Sequence, residues 1–153
     1  MSKNASLKKQ LYLFCVDYVE SRLANLQSAL ASAREAVSDD SKSTAGDKHE
    51  TGRAMAQLEQ EKLSSQFVET EKLQQLLSKL NPNQTSKEIG LGSIVYTKTG
   101  NYFIAISAGK VELEGQLYFI VSPSSPIGIA FIKATKKSTI EFNGNKIEIT
   151  GVE

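Results

Sequence analysis

LYLFCVDYVESRLANLQSALASAREAV, residues 11–37, is the stretch on which the fold turns. Within it Tyr12, Val16, Val19, Leu23, Leu26, Leu30, Ala33 and Val37 recur at alternating spacings of four and three. Such a heptad seam, held for more than three heptads, predicts a long helix that buries one stripe against a partner helix. Leu11, Phe14 and Tyr18 lie beside the seam and widen the apolar face at its start. A second stripe runs through Ala56, Leu63, Phe67, Thr70, Leu73, Leu77 and Leu80. Its spacing is less regular but still helical. From Leu7 to Leu80 there is no proline, and the only glycines are Gly46 and Gly52. Between the stripes lies the polar segment Ser38–Asp47, in which Thr44 and Asp47 have the spacing of an N-terminal capping box. Two long helices joined by a short connection are antiparallel neighbours. At 1.5 Å per residue, helices of roughly 30 residues make a hairpin about 45 Å long.

The composition changes near residue 81. All three prolines and the other eight glycines lie beyond it. Asn81–Ser86 ends the second helix and begins a linker. Strand-like runs follow: Ser93–Thr99, a Gly100-Asn101 turn, Tyr102–Ser107, then Lys110–Leu113 and Gln116–Val121 around Glu114-Gly115. Thr139–Phe142 and Lys146–Thr150 flank Asn143-Gly144-Asn145, a strong hairpin signal. Pro126 suits the first position of a short helix, and the apolar residues after it are expected to plug one end of the sheet. The expected fold class is α+β. Residues 1–80 form an antiparallel coiled-coil hairpin with a polar, acid-bearing tip at about 38–50, residues 81–92 a linker, and residues 93–153 a small β-rich domain.

The formal net charge of +1 gives no global pull toward nucleic acid or an anionic membrane. Each half is also near neutral, which argues against sequence-specific DNA binding through a basic face. The single cysteine, Cys15, excludes an intramolecular disulfide and sits in an apolar stretch as a small buried hydrophobe would. Leu11–Val16 is too short for a signal-peptide core, and no segment approaches the ~20 apolar residues of a membrane span. A cytoplasmic protein is expected. No Cys/His metal cluster, phosphate-cradling glycine loop or Ser-His-Asp set emerges, so the chain is not expected to be an enzyme or to hold an intrinsic cofactor.

Two segments resemble the Gre transcript-cleavage factors, a family of bacterial transcription elongation factors. One is Ser32-Ala33-Arg34-Glu35, leading through the tip to Lys48-His49-Glu50-Thr51-Gly52-Arg53. The other is Ser125-Pro126-Ile127-Gly128-Ile129-Ala130-Phe131-Ile132-Lys133, followed by Thr139–Phe142 and Lys146–Ile149. The resemblance implies an FKBP-like C-terminal domain docked on the rim of the RNA polymerase secondary channel. It implies a coiled coil inserted in that channel, beside the nascent RNA 3′ end. Tip acids would then help hold a second Mg²⁺, shared with the polymerase, which cleaves backtracked RNA. This agrees with residue chemistry, because Mg²⁺ takes carboxylate and water oxygens. Two placements of the tip acids stay open. Aligning on Arg53 selects Asp39 and Asp40, with Ser43 where the family often has Glu. Aligning on Gly46–Glu50 selects Asp47 and Glu50, at the i, i+3 spacing of one helix face. Lys48 and Arg53 are candidate tip contacts. Ser125, Pro126, Ile127 and Lys133 are candidate polymerase-docking residues, with Lys136 and Lys137 extending the basic cluster.

Each candidate also has a plainer role. Acids in a first helical turn complement the dipole; Asp39 and Asp40 suit a solvated loop; and a lone surface histidine such as His49 is most often only surface. Three other functions compete with cleavage. A non-cleaving secondary-channel regulator would keep the docking and lose the chemistry. A coiled-coil adaptor would use the seam for assembly. A prolyl isomerase would need Tyr96, Tyr102, Phe103, Tyr118, Phe119, Phe131 or Phe142 to line a pocket, although several of these must fill the core.

Overall fold

A computed structural model describes residues 3–42, 46–134 and 139–153, with the backbone alone at 3–6, 39–42 and 46–50. The fold is α+β: two N-terminal helices packed together, followed by a six-stranded mixed sheet. Helix α1 (Lys3–Lys42) has 40 residues and α2 (Gly46–Ser78) has 33. At 1.5 Å per residue they are about 60 and 50 Å long, longer than the heptads alone predict. The polar segment Ser38–Asp47 is largely helical backbone rather than loop. It contains no proline, and its one glycine, Gly46, stands at the start of α2. Thr44 and the rest of 43–45 lie outside the described residues. Three residues between two packed helices leave only an antiparallel arrangement.

The chain divides into two compact units, Val19–Gln74 and a second made of Met1–Tyr18 with Gln75–Glu153. In the first, α1 buries Val19, Leu26, Leu30 and Ala33, with Leu23 and Val37 half-buried between and beyond them. The four-three spacing is therefore the spacing of burial. On α2, Leu63, Phe67 and Leu73 are half-buried and Thr70 is fully buried. The Thr70 hydroxyl meets its hydrogen-bond requirement by donating to the Gln66 carbonyl one turn back, at 2.7 Å.

In the second unit the buried stripe of α1 is Leu7, Leu11 and Cys15, while the expected Tyr12 and Val16 are only half-buried. Spacings of four suit a helix that lies on a broad surface. Strands β1 (Ile94–Thr97), β2 (Gly100–Ile104), β3 (Gly109–Leu113) and β4 (Gln116–Val121) precede helix α3 (Pro126–Lys133). Strands β5 (Thr139–Phe142) and β6 (Asn145–Val152) follow it. The strand order is β3-β4-β2-β1-β6-β5. Only β2 and β4 run parallel. Glu153 extends the β1–β6 pairing through two backbone bonds with Ile94, at 2.8 and 2.9 Å.

One face of the sheet carries the buried cluster Ile89, Val95, Ile104, Phe131, Ile140, Ile147, Ile149 and Val152, in which α3 supplies Phe131. Tyr102 stacks on Phe119 and lies 4.8 Å from Phe131, centroid to centroid. The other face presents Ile94, Phe103 and Ile120, all but excluded from water. Lys8 of α1 lies close enough to Glu153 to feel its charge, and Leu80, just past the end of α2, packs on Gly92.

Two of the expected turns close as two-residue hairpins. Glu114-Gly115 and Asn143-Gly144 each have positive φ at both positions, the conformation that matches the twist of the flanking strands. The expected Gly100-Asn101 turn is displaced. Thr97 pairs with Gly100, the turn is Lys98-Thr99, and Asn101 is in β2. The cause is Thr97, whose hydroxyl bonds the Gly100 carbonyl and accepts the Thr99 N–H at 3.3 Å, closing the chain two residues early.

Candidate functional site

The side chains of Asp39, Asp40, Asp47, Lys48, His49 and Glu50 lie outside the described residues. The backbone nonetheless separates the two placements. Positions 39 and 40 fall in the last turn of α1, position 47 in the first turn of α2, and position 50 one residue beyond it. The N-terminal end of a helix favours negative charge and the C-terminal end disfavours it, by about 0.3–1 kcal/mol per exposed group. Helix physics therefore accounts for Asp47 and, more weakly, for Glu50. It gives no reason for two consecutive aspartates at the end of α1. Arg53 is exposed on α2, followed by exposed Met55 and Leu58. Among the described residues, no three His, Cys, Asp or Glu side chains converge as metal ligands.

At α3 the structure brings the Ser-Pro-Ile segment together as a cap. Ser125 has extended backbone, accepts the Gly128 N–H at 3.1 Å and donates to the Ser122 carbonyl at 2.6 Å. Its hydroxyl is committed inside the fold. Pro126 occupies the first helical position, where its missing N–H costs nothing. Gly128 is required by space: a Cβ there would stand 2.0 Å from the Ser122 carbonyl oxygen. Ile127 is half-buried against the core cluster, whereas Pro126 and Lys133 are exposed. The apolar run does not all turn inward as expected. Ile129 and Ile132 are 42% and 40% exposed, on the side of α3 that also carries Pro126 and Lys133. The 3.6-residue period, applied with Phe131 as the inward residue, distinguishes these positions.

The sequence pattern does not mark Lys8 as a buried residue. It is 3% exposed, and its ammonium donates to the Gln84 carbonyl at 2.9 Å. Burial pulls its pKa below the ordinary lysine value, and the Glu153 carboxylate partly opposes that. Nearby, burial pushes the Tyr96 hydroxyl up to about 12, with Glu153 and Tyr118 adding to the rise. Tyr118 is also raised by burial and by Glu114, against a hydrogen bond with Asn101 that lowers it. Asn101 in turn donates to Gln116 at 2.9 Å. The only hint in the sequence was a lysine inside the spacing Leu7, Leu11, Cys15, which a polar side chain does not announce.

No family model, no curated protein and no solved structure matches the chain. Among the described residues, no helix is long and apolar enough to cross a membrane.

Proposed function

We propose that this chain is a divergent Gre-like transcription elongation factor of a bacterial cytoplasm. Its helical pair would act as a coiled coil that enters the secondary channel of core RNA polymerase, beside the nascent RNA 3′ end. Its sheet and α3 would act as an FKBP-like docking domain. The observation that carries this reading is the pair Asp39-Asp40 in the last turn of α1, next in sequence to the start of α2. Two carboxylates kept where the helix dipole disfavours them need a reason outside the helix. Supplying hard oxygen ligands to a Mg²⁺ of the polymerase is such a reason, and aspartate is the ligand type this ion takes. The seam on α1 and the Ser125-capped helix α3 support the reading in the order that the resemblance requires. The exposed face of Pro126, Ile129, Ile132 and Lys133 is the docking surface in this proposal, while Ser125 and Ile127 hold α3 in place. The chain is not itself an enzyme; the polymerase does the cleavage. Neither a membrane nor a specific DNA sequence is a partner.

The test uses purified core polymerase and stalled elongation complexes. The full chain is expected to co-purify with the core enzyme and to shorten the RNA in stalled complexes. Asp39→Ala with Asp40→Ala should abolish shortening and leave binding intact, while Ile129→Asp should weaken binding. Absence of any association with core polymerase refutes the proposal. Binding without shortening assigns the chain to channel occupancy alone.

A further inference from the structure

Strand β3 forms one edge of the sheet and pairs on one side only, with β4. Its residues are Gly109-Lys110-Val111-Glu112-Leu113. The hairpin that joins it to β4 fixes which of its backbone groups are already spent. Glu114-Gly115 is a two-residue turn with positive φ at both positions, so the closing pair Leu113–Gln116 exchanges both backbone hydrogen bonds. Antiparallel pairs alternate. Val111 therefore bonds Tyr118 in the same way, and the N–H and C=O groups of Lys110 and Glu112 point away from β4. Both residues are exposed, and their side chains, two positions apart, stand on one face.

The order of these charges selects a partner. When a second β3 lies antiparallel to the first, with a two-fold axis at Val111, Lys110 of each copy faces Glu112 of the other. The opposed residues are the outward-pointing ones, so each pair also exchanges backbone hydrogen bonds. On the other face the half-buried Val111 side chains meet across the axis. Unlike charges directly opposed stabilise a strand pair, and like charges destabilise it. The nearest registers that keep the outward groups opposed are shifted by two residues. They set Lys110 on Lys110 or Glu112 on Glu112, like charge on like. Charges on an edge strand ordinarily discourage pairing; on β3 they admit one register and reject its neighbours. The far edge, β5, lacks this property, because its outward residues, Thr139 and Glu141, supply no opposite charges.

We propose that the β3 edge is a self-association surface whose occupant is a second copy of this chain, paired antiparallel about Val111 into one continuous sheet. A two-fold contact of this kind is closed, so association stops at the dimer. It uses neither the helix ends nor α3 and stands apart from the polymerase reading.

Sedimentation velocity of the full-length protein from about 10 µM to about 1 mM tests this. A reversible rise from monomer to dimer mass is expected. Lys110→Glu and Glu112→Lys should each weaken association at least about tenfold, because either change turns both opposed pairs into like-charge pairs. Mixed in equal amounts, the two variants should associate with each other about as strongly as the parent does with itself, since one edge is then all acid and the other all base. Both positions are exposed, so neither variant removes a core contact. Amide hydrogen exchange identifies the edge: the Lys110 and Glu112 N–H groups should slow as concentration rises, while the Val111 N–H, already bonded within the hairpin, should not. The proposal is overturned by a monomer throughout that range, by association that both charge reversals leave unchanged, by mixed variants that fail to associate, or by a dimer that does not slow exchange at Lys110 and Glu112.

Discussion

Replacing Gly128 by alanine sets two physical effects against each other with opposite sign. Gly128 lies in α3, so helix propensity alone makes alanine more stable by about 1 kcal/mol. Packing opposes this. The new Cβ would stand 2.0 Å from the Ser122 carbonyl oxygen and 3.0 Å from the Ser125 hydroxyl. The first contact is with backbone and cannot be relieved by rotating a side chain. Helix α3 must move away by more than 1 Å to reach an ordinary contact distance of about 3.5 Å. That movement breaks the Ser125 cap, worth about 1 kcal/mol. It also draws Phe131, fully buried against Tyr102, partly out of the core. Complete loss of a buried phenylalanine costs about 3–5 kcal/mol, so partial displacement costs about 2. The net expectation is a loss of about 2 kcal/mol. With a urea dependence of roughly 1–3 kcal/mol per molar, the midpoint should fall by about 1 M. Near-UV tyrosine dichroism reports the sheet unit through Tyr96, Tyr102 and Tyr118 and suits the measurement. A midpoint equal to or above that of the parent would show that the Ser122–Gly128 approach does not constrain α3.

Asp39→Ala and Asp40→Ala should each raise helix stability by about 0.5–1 kcal/mol, removing a charge from the unfavourable end of α1 and adding a better helix former; thermal unfolding followed at 222 nm checks this, and a loss of stability would mean these acids have structural partners. Cys15 is fully buried and its thiol is pushed up to about 12, so its thiolate is scarce at pH 8 and iodoacetamide should label it at least a hundredfold more slowly in the folded than in the urea-unfolded chain, as read by mass spectrometry. Stability should fall between pH 10 and 12. The folded protein keeps the Tyr96 proton to about 12 while the unfolded chain releases it near 10, so in that window the unfolded state binds fewer protons and gains on the folded one. Urea midpoints at pH 9 and 11 measure the loss. Tyr96→Phe should reduce it, and an undiminished loss would place the titration elsewhere.

The seam of α1 was legible because its apolar residues obey one period from Val19 to Val37, and burial follows the same residues. It became less legible before Val19, where Leu11 and Cys15 displace Tyr12 and Val16 from the buried stripe. Hairpins with two positive-φ positions were visible in Glu114-Gly115 and Asn143-Gly144. The Lys98-Thr99 turn was not, because a side-chain hydroxyl rather than a glycine makes it. At the candidate site, Pro126 and Ser125 announced a helix start, but composition could not show that Ser125 is consumed by its own cap. Lys8 was illegible for a general reason: sequence patterns assign charge to solvent, and only tertiary geometry buries it.

The place of β1 between β2 and β6 has a consequence for synthesis. Its neighbour on one side follows within a few residues, while its neighbour on the other is made about 50 residues later, at 145–153. On the ribosome, the backbone donors and acceptors of Ile94–Thr97 therefore stay open on that side long after the first hairpin can close. An open, apolar strand edge of this kind is what captures a neighbouring nascent chain. Pausing or slow codons ahead of residue 145 should lower the soluble yield, and the same delays placed inside the helices should not.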